Sequence, residues 1–368
     1  MTIRVPFNNL RLQWDEVAAA AQADINEVFT KSAFSGGPFV ERFEKEIAAW
    51  LGTPHAIACN SGTSALHLAM LAARIGPGDE VLVPAHTFIA TIWGVLYVGA
   101  TLVLCDVEEA TGNIDLLDAE RRITPRTRAI VPVHLYGQPA DLGRARVLAA
   151  THGLKIIEDN AQAVCARYDG RQLGTIGLVG CFSFYPGKNL GAAGEAGLVV
   201  TADNALADRM RRLRNHGQSE RYVHTEVGYN YRMDGIQAVI LQHKLRRMND
   251  WTEQRRRLAS QYAAGLGDLP LRLPAVVHQD HVWHLYVVRT PRRDALRVHL
   301  EKAGIETGLH YPVPIHRQPC LQNLRLDPNA YPNADAWASE GLSLPLFMGM
   351  SQAQMDHVLR SVRSFFQA

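Results

Sequence analysis

The chain has 368 residues, of which 47% are hydrophobic and 20% charged, a composition typical of a folded globular protein rather than a disordered or fibrous one. Thirty-eight Lys and Arg residues against 36 Asp and Glu residues leave a formal net charge of +2. No overall basic field therefore attracts nucleic acid or an anionic membrane, and neither is expected as a partner. Any anion must be bound by a local site.

The cysteines and the first residues of the chain indicate the cellular compartment of the protein. The five cysteines are odd in number and contain no CxxC pair: Cys59, Cys105, Cys165, Cys181 and Cys320. This pattern favours reduced structural thiols, with redox or metal use as the alternative. The first 14 residues contain no apolar signal-peptide core. We expect a cytoplasmic protein.

Helical periodicity at about 12–31 and 38–51 precedes a long alternation of short apolar runs and helical segments. The apolar runs are HAIAC, VLVP, TLVLCD, AIVPVHL, LKIIED, CFSFY and GLVVT. Strands that alternate with helices predict an α/β fold in three layers, a mostly parallel sheet with helices on both faces. The C-terminal ends of such strands meet along one edge, where ligands usually bind.

The stretch from Val81 to Cys105 contains no Asp, Glu, Lys or Arg and is long enough to cross a bilayer. It also contains Pro84, His86 and the Gly99-Ala100 break, which divide it into strand, helix and strand. Central parallel strands are apolar on both faces. The sequence therefore favours a buried layer over a membrane span.

After Asp203 the pattern changes to a basic helix and a long helical stretch broken near Asn249. Beyond Pro270, HLYVVR predicts a strand, and DALRVHLEKAG and QAQMDHVLRSVRSFF predict helices. We expect a large domain over residues 1–250 and a smaller C-terminal α/β domain over residues 251–368, with a boundary between about 250 and 270.

An acidic strand end and a loop lysine carry the most specific chemical signal. Asp159 ends the apolar strand KIIED, and Lys188 follows the strand CFSFY in a glycine-rich loop without acidic neighbours. Pyridoxal phosphate chemistry needs an amine that binds the cofactor and a carboxylate that keeps its pyridine nitrogen protonated. From these two residues alone, an exposed lysine and a capping aspartate are favoured over a PLP site.

A third segment, CNSGTSALHLAM, runs from a strand through Asn60-Ser61-Gly62-Thr63 directly into an apolar helix. Backbone N–H groups, hydroxyls and the helix N-terminus converge there and would suit a phosphate. A structural N-cap explains Ser61 equally well.

These segments and others resemble the DegT/DnrJ/EryC1/StrS sugar aminotransferases, which have the aspartate aminotransferase (fold type I) architecture. The resemblance extends over nearly the whole chain and includes NSGTSALHLA, GPGDEVLVPAHTFIAT, IIEDNAQA, FSFYPGKNLGAAGEAG, GYNYRMDGIQA, WHLYVVR and YPVPIHRQP. It implies pyridoxal 5′-phosphate (PLP) as cofactor, L-glutamate as amino donor and a nucleotide-linked keto sugar as acceptor. It also implies a homodimer with shared active sites.

The resemblance implies a role for each matching residue. Lys188 would be the catalytic lysine that binds PLP, and Asp159 the partner of the pyridine nitrogen. Gln162 would lie near the phenolic oxygen, or make a backbone hydrogen bond, and Phe88 would stack on the ring, or belong to the core. The implied phosphate ligands are Gly62, Thr63, Ser183 and, from the neighbouring subunit, Asn230.

Substrate contacts are expected from Tyr185, Tyr311 and His316. A diphosphate also needs cations, for which Arg214, His216, Arg221 and Arg232 are candidates, although each taken singly is more typical of a solvated surface residue. Of these, Arg232 belongs to the matched segment YNYRMD.

The resemblance is strongest to members that aminate a dTDP-linked 3-keto-6-deoxyhexose, with 4-keto and 3-keto-uronate sugars as alternatives. Val164-Cys165 and Ala196 depart from the usual residues of that branch. A PLP-dependent dehydratase is the second enzyme hypothesis, but relatives that dehydrate carry histidine where this chain has Lys188. A non-catalytic binding homologue is a third hypothesis, which intact Lys188, Asp159 and Gln162 disfavour.

His278, His281 and His284 in HQDHVWH have a spacing that could suggest metal binding. On an extended chain, residues three apart face opposite ways, so no metal site is expected.

Overall fold

The computed structural model describes residues 3–277 and 280–367. The helices in the described residues are α1 (Leu10–Asp15), α2 (Ala18–Thr30), α3 (Pro38–Leu51), α4 (Gly62–Ala72), α5 (Ala90–Tyr97), α6 (Leu116–Arg121), α7 (Leu142–His152), α8 (Asn204–Arg214), α9 (Gly235–Leu245), α10 (Met248–Leu266), α11 (Arg293–Lys302), α12 (Pro332–Glu340) and α13 (Gln352–Gln367). The strands are β1 (His55–Cys59), β2 (Glu80–Pro84), β3 (Thr101–Cys105), β4 (Thr127–Ile130), β5 (Lys155–Asp159), β6 (Arg167–Tyr168), β7 (Arg171–Gln172), β8 (Val179–Ser183), β9 (Gly197–Thr201), β10 (Gln218–Glu220), β11 (Val223–His224), β12 (Tyr286–Arg289) and β13 (Gly341–Leu344).

A seven-stranded sheet forms the centre, in the order β1-β9-β8-β5-β4-β2-β3. The pairs β2-β3, β2-β4, β4-β5 and β5-β8 are parallel, whereas β9 pairs antiparallel with both β8 and β1. Six strands therefore point the same way and β9 alone is reversed. The α/β class and the mostly parallel sheet predicted from the sequence are confirmed.

Both faces of this sheet are buried because successive side chains point to opposite sides. In β1, Ile57 and Cys59 pack in one apolar cluster and Ala56 and Ala58 in another. Helices cover both faces, and the pattern of buried residues explains why the strands are apolar throughout.

The uncharged stretch from Val81 to Cys105 lies inside this layer, as β2, α5 and β3. Strand β2 is fully buried. Among the described residues, no helix is both long and apolar enough to cross a membrane.

A further apolar cluster gathers α10, α11, α13 and the β12-β13 pair. Its helical contribution begins at Leu258, inside α10, and it also includes Val5, whose backbone bridges to Ile305. The boundary near residue 250 stays a prediction, and the first residues of the chain pack against this C-terminal cluster.

Candidate active site

A cavity of about 830 Å³ lies at the C-terminal ends of β2, β4, β5 and β8, between the sheet and the segments around β12 and β13. This volume is in the range of small-molecule and cofactor sites. Nine of the twelve residues predicted from the sequence line it: Gly62, Thr63, Phe88, Asp159, Gln162, Ser183, Tyr185, Lys188 and Tyr311.

Asp159 lies at the end of β5 with 4% of its surface exposed. Its Oδ2 accepts a hydrogen bond from Thr91 Oγ1 at 2.9 Å, and its Oδ1 accepts one from the Ala161 N–H at 3.0 Å. Burial raises the pKa of Asp159, although these bonds and Lys188 oppose the rise. Within the described residues Asp159 forms no ion pair, so a cationic ligand group would stabilise its charged form.

The preceding residue, Glu158, fixes the end of this strand. Its buried carboxylate accepts hydrogen bonds from the N–H groups of Gly174, Ile176 and Gly177 and lies 3.2 Å from His134 Nε2. These bonds hold the pKa of Glu158 below its usual value despite the opposing effect of burial. Because Glu158 is held on one side of the strand, the adjacent Asp159 is directed toward the cavity.

Lys188 lies in the tight loop that follows β8. The loop is closed by a 2.8 Å hydrogen bond from the Lys188 N–H to the Tyr185 carbonyl, and a Cβ on Gly191 would meet the Pro186 oxygen at 2.2 Å. The buried Lys244 amine donates to the Gly191 carbonyl at 2.7 Å. The backbone around Lys188 is therefore closely constrained.

Burial lowers the pKa of Lys188 to about 8, with the nearby Asp159 opposing the change. A neutral amine is the form that attacks a carbonyl and that accepts a proton. The site therefore supplies a lysine that is partly in its reactive form near neutral pH.

The N-terminus of α4 approaches β8 very closely. Ser61 caps the helix by accepting the Ser64 N–H at 3.0 Å, so the structural explanation for Ser61 holds. A Cβ on Gly62 would meet Ser183 Cβ at 2.6 Å. Glycine thus brings the N–H groups of the first helical turn beside the Ser183 hydroxyl, an arrangement suited to a phosphate.

Gln162 links two tyrosines at the cavity. Its Oε1 accepts the Tyr136 N–H at 2.5 Å, and its Nε2 donates to Tyr311 Oη at 2.9 Å. The backbone hydrogen bond considered as an alternative is therefore present. Among the described residues the second N–H of this amide has no partner, so it can donate to a ligand oxygen.

Phe88 is not a core residue, because 51% of its surface is exposed. Its ring lines the cavity with its centroid 5.5 Å from that of Tyr311. An exposed aromatic face beside the cavity can stack on a heteroaromatic ring.

Three predicted residues lie outside the cavity. Asn230 is exposed, and Arg232 lines a separate basic pocket where its Nη1 donates to Asn215 Oδ1 at 2.8 Å. His316 is buried, with Nε2 3.1 Å from Asp335 Oδ1 and its ring packed on Tyr331. The structure thus gives His316 a packing role in its own loop.

The other candidates for a diphosphate differ in availability. Arg214 is occupied by Glu44 and by the Ala58 carbonyl at 2.7 Å. The Arg221 guanidinium lies over the Tyr222 ring at 5.1 Å. His216 lies on the surface beside Tyr229.

The sequence analysis missed several polar cavity residues, among them Thr91, Glu195, His284 and His310. Thr91 lies one helical turn after Thr87, to which its hydroxyl is bonded at 2.9 Å, and that spacing within HTFIAT is a usable signal. For the two histidines no local signal exists, because the tertiary fold alone brings them to the sheet edge.

The described histidines of the segment HQDHVWH make contacts with other side chains. His281 stacks on Trp283 with centroids 3.8 Å apart, and His284 Nδ1 lies 3.2 Å from Asn189 Oδ1. His278 lies outside the described residues. Within the described part of the chain, no three His, Cys, Asp or Glu side chains are grouped so as to hold a metal ion.

The residues present fit PLP. The buried Asp159 would pair with a protonated pyridine nitrogen, and the exposed face of Phe88 with the ring. The close approach of Gly62 to Ser183 forms a place for the phosphate, and Lys188 provides the amine. When bound, PLP supplies an electron sink for chemistry at an amine-bearing carbon.

A model of the DegT/DnrJ/EryC1/StrS aminotransferase family matches residues 15–363. The chain belongs to this family. It is therefore a PLP-dependent aminotransferase, as the resemblance implied.

Individual members of the family are similar to this chain over nearly its full length. The chain is 46% identical to dTDP-3-amino-3,4,6-trideoxy-α-D-glucose transaminase from Streptomyces venezuelae, covering 99% of this chain and 97% of the relative. The crystal structure of DesV from S. venezuelae superposes with a TM-score of 0.97 at 45% identity, covering 100% of both chains. NtdA from Bacillus subtilis, solved with bound PMP, gives a TM-score of 0.93 at 30% identity over 100% of this chain and 86% of NtdA.

Proposed function

We propose that this aminotransferase moves the amino group of L-glutamate to C3 of a dTDP-linked 3-keto-6-deoxyhexose. The observation that carries the proposal is the 46% identity, over 99% of the chain, to a relative named for a dTDP-3-amino-3,4,6-trideoxy sugar. The side chains that line the cavity around Lys188 and Asp159 also support the proposal, because they suit a neutral sugar.

The wall opposite the sheet is partly apolar, formed by Leu285, Leu344 and Leu346. Lys188 is the only Lys or Arg among the described residues that line the cavity. The three leucine side chains offer no hydrogen-bond donor to the carboxylate of a uronic sugar. A neutral 6-deoxy sugar fits such a wall better.

In the proposed reaction, Lys188 Nζ takes a proton from the α-carbon of glutamate in the first half-reaction. In the second it delivers a proton to C3 of the sugar. The Asp159 carboxylate would stabilise the positive charge of a protonated pyridine nitrogen at the bottom of the cavity. Tyr185, which is 54% exposed at the cavity, is placed to contact the sugar.

The acceptor's diphosphate and the carboxylates of glutamate need cations that the cavity of one chain does not provide. Asn230 and Arg232 follow the β10-β11 hairpin. Tyr222, in the turn of this hairpin, is 79% exposed, and Val227, just after β11, is 86% exposed. Such an exposed apolar surface is typical of an interface. We infer a homodimer in which Asn230 and Arg232 serve the partner's cavity.

The five cysteines are free thiols, which supports placing this reaction in the cytoplasm.

The test uses the protein in its pyridoxamine phosphate form. It is mixed separately with dTDP-linked and UDP-linked 3-keto sugars, 4-keto sugars and a 3-keto uronate, and recovery of the PLP absorption is recorded. We expect the fastest recovery with the dTDP-linked 3-keto-6-deoxy sugar. Faster recovery with a 4-keto sugar or the uronate would replace the proposed substrate. Lys188→Ala, prepared in the same form, is the control and should give no recovery.

A further inference from the structure

Residues 281–285 directly precede β12 in the chain and run along the cavity. Hydrogen bonds from several other segments hold their backbone in place. The Val282 N–H donates to the Gly137 carbonyl at 2.9 Å, and the Leu285 N–H donates to the Tyr136 carbonyl at 3.3 Å. The buried Arg255 guanidinium donates to the carbonyls of residues 283, 284 and 346. We call residues 281–285 the crossing segment.

Asn189, the residue after Lys188, ties the lysine loop to this crossing segment. Its Nδ2 donates to the Val282 carbonyl at 3.0 Å, and its Oδ1 lies 3.2 Å from His284 Nδ1. A carbonyl can only accept, so the amide nitrogen must face Val282 and the amide oxygen must face His284. His284 Nδ1 therefore carries the proton.

The remaining ring nitrogen of His284 is consequently an acceptor. Burial holds the pKa of His284 well below its usual value, and the charges of Lys188, Arg255 and His310 act in the same direction. The imidazole is thus neutral, with an unprotonated Nε2. His284 lines the cavity, and its Nε2 has no hydrogen-bond partner in the part of the chain that the structure describes.

We propose that His284 is a positioning residue for Lys188: its Nε2 accepts a hydrogen bond from the Lys188 amine whenever that amine is not joined to the cofactor. The inference rests on the proposed role of Lys188 and is independent of the sugar. It gives the released amine a fixed place beside the cavity instead of leaving it to rotate freely.

A neutral acceptor suits this task. The groups that face the two side chains are Asp159 at the cavity floor, His310 across the cavity and Arg255 behind the crossing segment. A carboxylate in the position of His284 would form an ion pair with the amine and favour its protonated form. An imidazole nitrogen orients the amine with a smaller effect on its charge.

His310 does not meet the same conditions. Its Nδ1 lies 2.8 Å from the Ser343 hydroxyl, which can either donate or accept, so the position of the ring proton is not fixed. Its ring also stacks on Phe7 at 5.6 Å.

The experiment measures the pKa of the Lys188 amine directly. The protein loaded with pyridoxamine phosphate is pulsed with acetic anhydride at a series of pH values, and mass spectrometry follows acetylation of Lys188. Two variants separate the functions of the ring. His284→Asn keeps a donor toward Asn189 and has no atom at the Nε2 position, whereas His284→Gln can place an amide oxygen there.

We expect the midpoint for Lys188 to fall by about one pH unit in His284→Asn, since losing an acceptor removes stabilisation of the charged amine. In His284→Gln the midpoint should stay near that of the unchanged protein. If His284→Asn does not fold, His284→Phe takes its place, with the same lowering expected.

His281→Asn is the matched control, because His281 belongs to the same crossing segment but does not line the cavity. It should lower the thermal unfolding midpoint and leave the Lys188 midpoint unchanged. An equal Lys188 shift in His281→Asn, or no shift in His284→Asn, would overturn the proposal. No sugar is needed, so this outcome is separable from failure of the proposed substrate.

Discussion

Lys188 and Asp159 face the same cavity, yet burial moves their pKa values in opposite directions. The pKa of Lys188 falls to about 8 and that of Asp159 rises. Both changes disfavour the charged form of the side chain. A ligand that brings positive charge to Asp159 and a carbonyl to Lys188 would relieve both costs, which is what PLP offers.

This environment predicts the pH dependence of cofactor capture. Only the neutral Lys188 amine attacks the PLP aldehyde, and because its pKa is lowered, the neutral fraction grows as pH rises toward about 8. The rate of PLP uptake by the apoprotein should rise about tenfold per pH unit below that point and level off above it. Stopped-flow absorbance after adding PLP measures this rate.

Asp159→Asn provides the comparison. Asp159 opposes the lowering of the Lys188 pKa, so removing its charge should move the inflection to lower pH. A rate that kept rising toward the ordinary lysine value of 10.5 would show that burial does not control this amine.

At the level of elements, the site depends on the contact between the start of α4 and the end of β8. Strand β1 leads into α4, and β9 lies between β1 and β8. Across this arrangement a Cβ on Gly62 would meet Ser183 Cβ at 2.6 Å. The start of α4 can lie this close to the end of β8 only because Gly62 has no side chain.

Gly62→Ala should separate these elements and weaken PLP binding. Overpacking of this kind costs about 1–3 kcal/mol, so the dissociation constant should rise about tenfold or more. A fluorescence titration of the apoprotein with PLP measures it. Gly76→Ala is the control, because its added Cβ has its nearest contact at 3.8 Å and lies far from the cavity. Equal affinities in the two variants would contradict the phosphate role assigned to this contact.

The strands themselves were recognisable in the sequence, but the direction of β9 was not. GLVVT is as apolar as its parallel neighbours, and all five of its residues are buried. The lysine loop reverses the chain between β8 and β9, and an apolar run carries no sign of that reversal.

At the level of the whole molecule, the predicted site divides between two surfaces. Nine predicted residues line the cavity, whereas Asn230 and Arg232 lie beside the exposed β10-β11 hairpin. In a homodimer with two-fold symmetry, the same surface of each copy can complete the cavity of the other.

Mixing two inactive variants tests this division. Lys188→Ala lacks the amine, and a chain carrying both Asn230→Ala and Arg232→Ala lacks the residues proposed to act across the interface. After subunit exchange, each mixed dimer should contain one complete site, so the mixture should recover about a quarter of the unchanged protein's turnover. Glutamate-dependent amination of the sugar measures it.

The control mixes each variant with itself through the same exchange procedure and should recover nothing. If the mixture of the two variants also stayed inactive while native mass spectrometry showed mixed dimers, each cavity would be built from one chain.

The sequence by itself determined the fold class and the central chemistry. Asp159 is the last residue of β5, and Lys188 and the Gly62-Thr63 segment lie within five residues of the ends of β8 and β1. Local order along the chain was therefore enough to place them at one edge of the sheet. The motifs around them also sufficed to identify the family.

Only the tertiary structure showed which residues form the side of the cavity opposite Lys188. His284 and His310 come from segments about a hundred residues beyond Lys188, and no spacing rule relates them to it. The tertiary structure also places His316, an expected substrate contact, outside the cavity, because its ring is buried against Tyr331. Side-chain direction and contacts between distant segments depend on packing, which a linear pattern does not record.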